Sequence, residues 1–380
     1  MTAEKTLLKE ILFNPIKIKK IATEIKSVYP EFQEKYFEEE SCDMLHELEL
    51  KARIYHIRDM LGKYLPIGFE SAVKILLDSL PQALDPSKQD NDFGDFIYAP
   101  YSEFVTLHGC RREKIDISLQ ALREITKRFS VEFAIRDFIN AYPEETLAML
   151  DACALSENYH ERRLVSESLR PKLPWAKRLK LDYRIPLSRL DKLFSDKTRY
   201  VTRSVANHLN DIAKIDAFLV IETLKKWKAS GKQNPKEMAY IINHALRTLV
   251  KEGHEEALAL LGYARTPNIS VKHFTVETKE VQIGEALIFE LMIEAKEDTK
   301  VMLDYIVHFR TKAGHYSPKV YKLKKIALQK DQSLLLKKRH LFKANMSTRK
   351  LYEGEHKIEV QMNGVNYEER LFMLKKSDRS

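Results

Sequence analysis

The chain has 380 residues, a 44% hydrophobic content and only 11 glycines, which suits a folded, helix-rich protein long enough for two or three domains. It has no run of about 18 apolar residues, so no membrane-spanning helix is expected. Three scattered cysteines, Cys42, Cys110 and Cys153, form neither a disulfide framework nor a metal knot. The net charge of +9 is unevenly spread: residues 1–161 carry −9, residues 162–232 carry +11 and residues 271–380 carry +7. Residues 312–350 hold 12 basic residues against a single acid, Asp331. Two basic blocks on an otherwise acidic chain are the footprint expected of a polyanion partner, although Lys-rich faces are also common on ordinary solvated surfaces.

The N-terminal residues alternate charged and apolar side chains, lack a signal-peptide core, and predict one or two helices within 1–40. Apolar residues recur at helical spacing over Leu45–Leu61, and a further helix is expected from Gly68 to about Leu80. Residues 86–94 read as a loop by composition. Helices follow at about Tyr98–Leu107, Ile115–Phe129 and Val131–Tyr142. Within the last, Glu132 and Arg136 stand four apart and are expected to project from one side. The stretch from Tyr159 to Trp175 gathers the most chemistry. A helix from about His160 to Leu169 is stopped by Pro171, Arg163 and Glu167 share one of its faces, and Pro171 and Pro174 bracket a stiff loop that presents Trp175. Taken alone, Arg163–Glu167 reads first as an ordinary ion pair and Trp175 as a core residue.

A repeat of 40 residues is visible. Arg163, Val165 and Leu169 fall on Arg203, Val205 and Leu209, and a further step places Val205 on Ala245 and Leu209 on Leu249 in a helix over Met238–Val250. The intervals Pro143–Leu155, Pro186–Phe194 and Asp216–Ala229 supply the second helix of each unit. Two helices per 40 residues is the signature of a HEAT-type α-solenoid, whose neighbouring repeats bring corresponding faces together. Beyond Ser270 the period becomes two, as in Leu287, Phe289, Leu291 and Ile293, and Asn363-Gly364 suits a type I′ hairpin turn. About seven strands are expected, an immunoglobulin-like sandwich. The predicted fold is thus mainly α, with a helical-repeat domain over 1–268 and an all-β immunoglobulin-like domain over 269–380. There is no phosphate-binding glycine loop and no metal-ligand spacing, so no cofactor or metal is expected.

The runs Glu132–Arg136, Arg162–Glu167, Arg170–Trp175 and Ser204–Asp211, with Leu48–Arg53 near the start, resemble the AlkC family of bacterial DNA-alkylation-repair glycosylases, part of the HEAT-like repeat glycosylase superfamily. The chain departs from the family pattern at Ser168, where Gly is usual and where the serine would face the backbone of a bound strand, and at Lys172, where Arg is usual. The resemblance implies a monomer that acts in base excision repair on double-stranded DNA containing alkylated bases. It hydrolyses the N-glycosidic bond of cationic adducts such as N3-methyladenine and N3-methylcytosine without flipping the base into a pocket. A cationic base is already a good leaving group, so the protein need only stabilise positive charge on the sugar and position a water, tasks that suit carboxylates. Glu132 and Glu167 are assigned to them, with the water-orienting member left open. Trp175 is assigned to the lesion or sugar, and Arg136, Arg163, Arg170, Arg203 and Asn207 to the DNA backbone. The basic block at 319–350 would hold the duplex from the other side, or be solvated strand surface. Asp211 is read as a helix brace and Trp227 as packing. A cytoplasmic, nucleoid-associated protein is expected. The rival readings are a non-catalytic DNA binder on the same scaffold and a protein–protein adaptor.

Overall fold

The computed structural model describes residues 7–85, 87, 94–344, 346 and 349–376. The loop expected over 86–94 lies, apart from Ser87 and Gly94, outside them. Helices occupy the chain from Leu8 to Leu260 and strands from Ile269 to Lys375, as the change of hydrophobic period predicts. By internal contacts the chain divides into one unit of residues 1–212 and 227–244, and a second of residues 213–226 and 245–380.

The first unit stacks helices in sequential pairs. Pro15–Val28 lies against Glu34–Asp43, Leu50–Tyr64 against Ala99–Gly109, Ile135–Ala141 against Pro143–Cys153, and Tyr159–Ser168 against Leu187–Leu193. The residues that define the 40-residue period are core positions: Val165, Val205 and Leu209 are fully buried and Leu169 nearly so. This is the HEAT-like architecture, in which each pair buries its apolar face on the next. Trp227 packs as expected, stacked on Phe194 with ring centroids 4.5 Å apart, its Nε1 donating to Asp191 at 2.5 Å. Among the described residues three helices, rather than one or two, begin before residue 40. The helix expected over Met238–Val250 is broken at Leu246 into Pro235–Ala245 and Arg247–Lys251. The helix expected over Val131–Tyr142 starts only at Ile135, with Val131–Ala134 in a turn that leads into it. That shift of four residues matters at the site.

Among its described residues the second unit carries eight strands in two sheets: β1 (Ile269–Val276), β2 (Glu280–Gln282), β3 (Ala286–Ala295), β4 (Thr299–Arg310), β5 (Tyr316–Leu328), β6 (Ser333–Leu341), β7 (Gly354–Met362) and β8 (Val365–Lys375). One sheet runs β1-β3-β6 and the other β2-β8-β7-β4-β5. All pairings are antiparallel except that of β2 with β8. The alternating residues Leu287, Phe289, Leu291 and Ile293 of β3 face Val301, Leu303, Tyr305, Val307 and Phe309 of β4 in one core. The exposed lysines of the basic block, Lys319, Lys322, Lys324 and Lys325, lie on β5, and Lys337 and Arg339 on β6. Both are outermost strands of their sheets, where lysine also guards an open edge.

The β7–β8 turn has the predicted form. Asn363 (φ 48) and Gly364 (φ 80) are both left-handed, as a type I′ turn requires, and Met362 pairs with Val365 across it. Asn363 Nδ2 donates to Ala264 O at 2.6 Å, and a Cβ on Gly364 would sit 2.2 Å from Gly253 Cα. The turn thus rests on the helical segment that precedes the strands. Gly364→Ala is expected to lower unfolding free energy by about 2–4 kcal/mol, read by urea denaturation, because backbone faces backbone there and neither side yields cheaply.

Candidate active site

The helix Tyr159–Ser168 begins where Asn158 Oδ1 accepts from the backbone N–H of His160 at 2.9 Å, and it is fully enclosed by its neighbours apart from Arg163. The chain then turns at Pro171. The exit loop is fastened to the helix Ile135–Ala141 by Arg136, whose guanidinium donates to the carbonyls of Lys177 (2.6 Å), Ser168 (2.8 Å) and Arg170 (3.0 Å). Asn140 adds two more bonds, donating to Arg178 O and accepting from Lys180 N. The result is Trp175 held in the left-handed region at φ 64, a rare state for a bulky residue, with 79% of its surface exposed. Lys51 Nζ donates to its carbonyl at 3.3 Å. Beside the indole is a cavity of about 520 Å³ whose wall includes Tyr55, Phe96, Phe133 and the carboxyl of Glu103, which burial pushes up.

Glu132 and Glu167 are brought together by one guanidinium. Arg163 Nη1 donates to Glu132 Oε2 at 2.6 Å and to Ser130 Oγ at 2.8 Å, while its Nη2 lies 3.7 Å from Glu167 Oε2. Its planar group also lies over the Tyr200 ring, 4.7 Å from the centroid. Glu167 Oε1 accepts from Arg170 at 2.5 Å and Oε2 from Ser204 at 2.6 Å. Arg170 in turn donates through Nε to Asp211 Oδ2 at 2.9 Å. The two glutamate side chains keep 13% and 6% of their surface accessible. Burial pushes the Glu167 carboxyl up, but the charges of Arg163 and Arg170 and the Ser204 hydroxyl outweigh it and hold it below the usual carboxylate value. Burial likewise opposes the charge on Arg163, yet the two glutamates outweigh it and raise its pKa. His208, behind this cluster, donates through Nδ1 to Ser166 O at 2.9 Å, and burial pulls it down to about 3, so it is neutral.

Several sequence expectations are corrected by this geometry. Glu132 does not pair along its own helix with Arg136, because it precedes the helix, and it pairs with Arg163 instead. Arg136 is not a phosphate clamp: it is 1% exposed, spent on three backbone carbonyls, and drawn down to about 10 by burial and by Arg170. Arg163 and Arg170 also turn inward onto carboxylates rather than outward to a phosphate. Ser168 is fully buried and its carbonyl accepts from the Arg136 guanidinium, so its side chain lies inside the protein rather than against a bound strand. Arg53, from the run near the start, is likewise internal, bonded to the carbonyls of Leu48, Lys9 and Phe13. Arg203 and Asn207 are half-buried on the next repeat, Asn207 Oδ1 lying 2.8 Å from His244 Nε2. The sequence reading missed Ser130, Ser204 and Tyr200 as partners of the cluster; Asp211, read as a brace, is buried and accepts from Arg170. Spacing offered a clue, since Ser204 follows Glu167 by 37 residues, close to one repeat.

Residues 270–376 match the family described as the C-terminal Ig-like domain of the uncharacterised protein YhaZ. Over the full chain, the uncharacterised protein YhaZ of Bacillus subtilis (strain 168) is 33% identical across 365 residues, covering 94% of this chain and 96% of its own length. Among solved structures, the Pseudomonas fluorescens alkylpurine DNA glycosylase AlkC, bound to DNA containing an abasic site analogue, superposes with a TM-score of 0.87. It is 31% identical, with 97% of this chain and all of that chain covered. Alike in sequence to both relatives over nearly their whole length, and in fold to AlkC, this chain belongs to the family of YhaZ and AlkC, the AlkC-type DNA glycosylases.

Proposed function

We propose that this protein is a DNA glycosylase that releases cationic N-alkylated bases, N3-methyladenine and N3-methylcytosine, from duplex DNA without flipping them into a pocket. The observation that carries the reading is the pair of nearly buried carboxylates joined by Arg163, on a chain that also presents an exposed indole, Trp175, from a backbone held at φ 64. Phe133, which follows Glu132 in sequence, lines the same cavity as Trp175, which supports placing Glu132 and the indole in one locality. Cleavage of the bond from sugar C1′ to a cationic base returns the bonding pair to the base and leaves positive charge on the deoxyribose. Glu167, whose carboxyl is kept ionised, opposes that charge, and the indole face adds a cation–π contact. Glu132 accepts from both Ser130 and Arg163 on Oε2; on this reading its Oε1 orients the water that attacks C1′ and takes the proton that water loses. The exposed Lys172, Arg178 and Lys180 of the Trp175 loop, with Arg203 and Asn207, take the phosphates. The edge-strand lysines add sequence-independent attraction, so duplex affinity falls steeply with salt.

The direct test incubates the protein with methylated duplex DNA and identifies the bases that appear in solution. Release of N3-methyladenine and N3-methylcytosine supports the reading, and salt-dependent binding with no release leaves only a DNA binder. Trp175→Ala is expected to slow release by about 30-fold, the worth of a desolvated cation–π contact of about 2 kcal/mol. Because the side chain is exposed, the melting temperature and the affinity for undamaged duplex should hardly move. Equal losses in release and in duplex binding would make Trp175 a general DNA-contact residue.

A further inference from the structure

The cavity beside Trp175 has a chemistry that the carboxylate cluster leaves unused. Its volume of about 520 Å³ lies within the range of small-molecule sites. Rings from four separate segments stand in its wall: Tyr55 on the helix Leu50–Tyr64, Phe96 just before the helix Ala99–Gly109, Phe133 in the turn before Ile135, and Trp175 on the exit loop. The first three are half-buried and the indole is exposed. Rings so placed offer stacking surface to a flat heterocycle of any identity. The wall also holds one carboxyl, Glu103, on the helix Ala99–Gly109. Among the described residues it takes no hydrogen bond, and burial outweighs the nearby charges of Arg58, Lys51 and Lys177 to raise its pKa. We infer that this cavity is a product site, which takes the excised base as a free, amino-substituted heterocycle once its bond to the sugar has broken. The inference deepens the glycosylase reading above and rests on it.

Charge decides between a free base and a base still on its strand. Of the three charged residues in the wall, two are acids, Glu103 and Glu49, the latter paired with Lys9. The cation, Lys51, already donates to the carbonyl of Trp175. A phosphate carried in with the base would therefore meet two carboxylates, and the free base brings none. When the bond from C1′ to a cationic base breaks, the bonding pair returns to the ring, which leaves as a neutral, flat molecule suited to apolar walls. Its amino group and ring nitrogens meet a carboxyl that accepts a hydrogen bond, or donates one when protonated. Drawing the base off the sugar also keeps it from recombining with C1′ before water attacks. Since the base is already detached, no paired nucleotide has to be flipped.

The test titrates free N3-methyladenine into the full chain and follows tryptophan fluorescence. The chain has two tryptophans, and Trp227 is buried against Phe194, so a saturable change reports Trp175. A Kd at or below about 1 mM is expected, ordinary for a ligand of so few atoms. Adenine should bind about fourfold more weakly, the effect of one methyl group. Deoxyadenosine monophosphate should bind at least about tenfold more weakly than adenine, because its phosphate meets the acids. Glu103→Leu should weaken N3-methyladenine about tenfold through the lost hydrogen bond, and Ile54→Phe, which fills the cavity, by at least about as much. Melting curves confirm that both variants are folded; should either fail, the wild-type titrations still decide. No saturable change in the wild-type protein up to about 10 mM overturns the inference and leaves the glycosylase reading standing. So does deoxyadenosine monophosphate that binds as tightly as adenine, the mark of a base still on its strand, or binding indifferent to both folded variants. Binding of the free base by a chain that releases none from methylated DNA overturns the glycosylase reading, and the inference with it.

Discussion

Glu167→Gln is expected to slow base release from methylated DNA by about a thousandfold, with the affinity for undamaged duplex within about threefold of wild type. The substitution keeps shape and removes charge, so it isolates electrostatic stabilisation of the sugar cation. Single-turnover release of methylated base reads the first quantity and a binding titration the second; an unchanged rate would remove Glu167 from the chemistry. The variant leaves Arg163 and Arg170 short of counter-charge in a buried setting, at a cost of about 3 kcal/mol, so its melting curve must confirm that the folded protein was assayed. The wild-type rate has a matching pH signature. A carboxyl held below its ordinary pKa stays ionised as the solution is acidified, so release should remain level down to about pH 5 and fall only below the usual carboxylate range. The stabilisation these ion pairs lend the fold follows the same course: present above the ordinary glutamate pKa, lost as the pH drops through the depressed one.

The second large effect is structural. Arg136→Met should lower unfolding free energy by about 3–5 kcal/mol, because it strands three carbonyls that the guanidinium now satisfies. Thermal or chemical denaturation checks this. Base release should fall too, since the same bonds secure the loop of Trp175. A normal fold with weakened duplex binding would instead restore Arg136 to the phosphate contacts it was first assigned.

The contrast between Arg136 and Trp175 marks where the sequence was legible. Helical period, repeat length and the switch to period two depend on local apolar spacing, and those positions are buried as expected. Glu132, Glu167 and Trp175 could be named because each stands in a run that resembles the AlkC family. Their partners could not, because partners are set by tertiary distance. Glu132 meets Arg163, 31 residues away, only because the intervening helix begins at Ile135 rather than Val131. Whether an arginine faces solvent or a carbonyl depends on the loop folded over it, and Arg136 is covered by a loop that begins more than 30 residues later. The strand Glu280–Gln282 went unseen because three residues carry no period and their parallel pairing comes from the far end of the chain.

The contact of Gly253 with Gly364 bears on where this protein can be divided. A fragment begun at residue 269, where the hydrophobic pattern changes, would keep every strand yet discard the platform beneath the β7–β8 turn. One begun near residue 245 would retain it. A protease acting on the native chain should therefore find the peptide bonds between 250 and 264 guarded by the turn above them, and the smallest self-sufficient β fragment should carry that helical remnant as its floor.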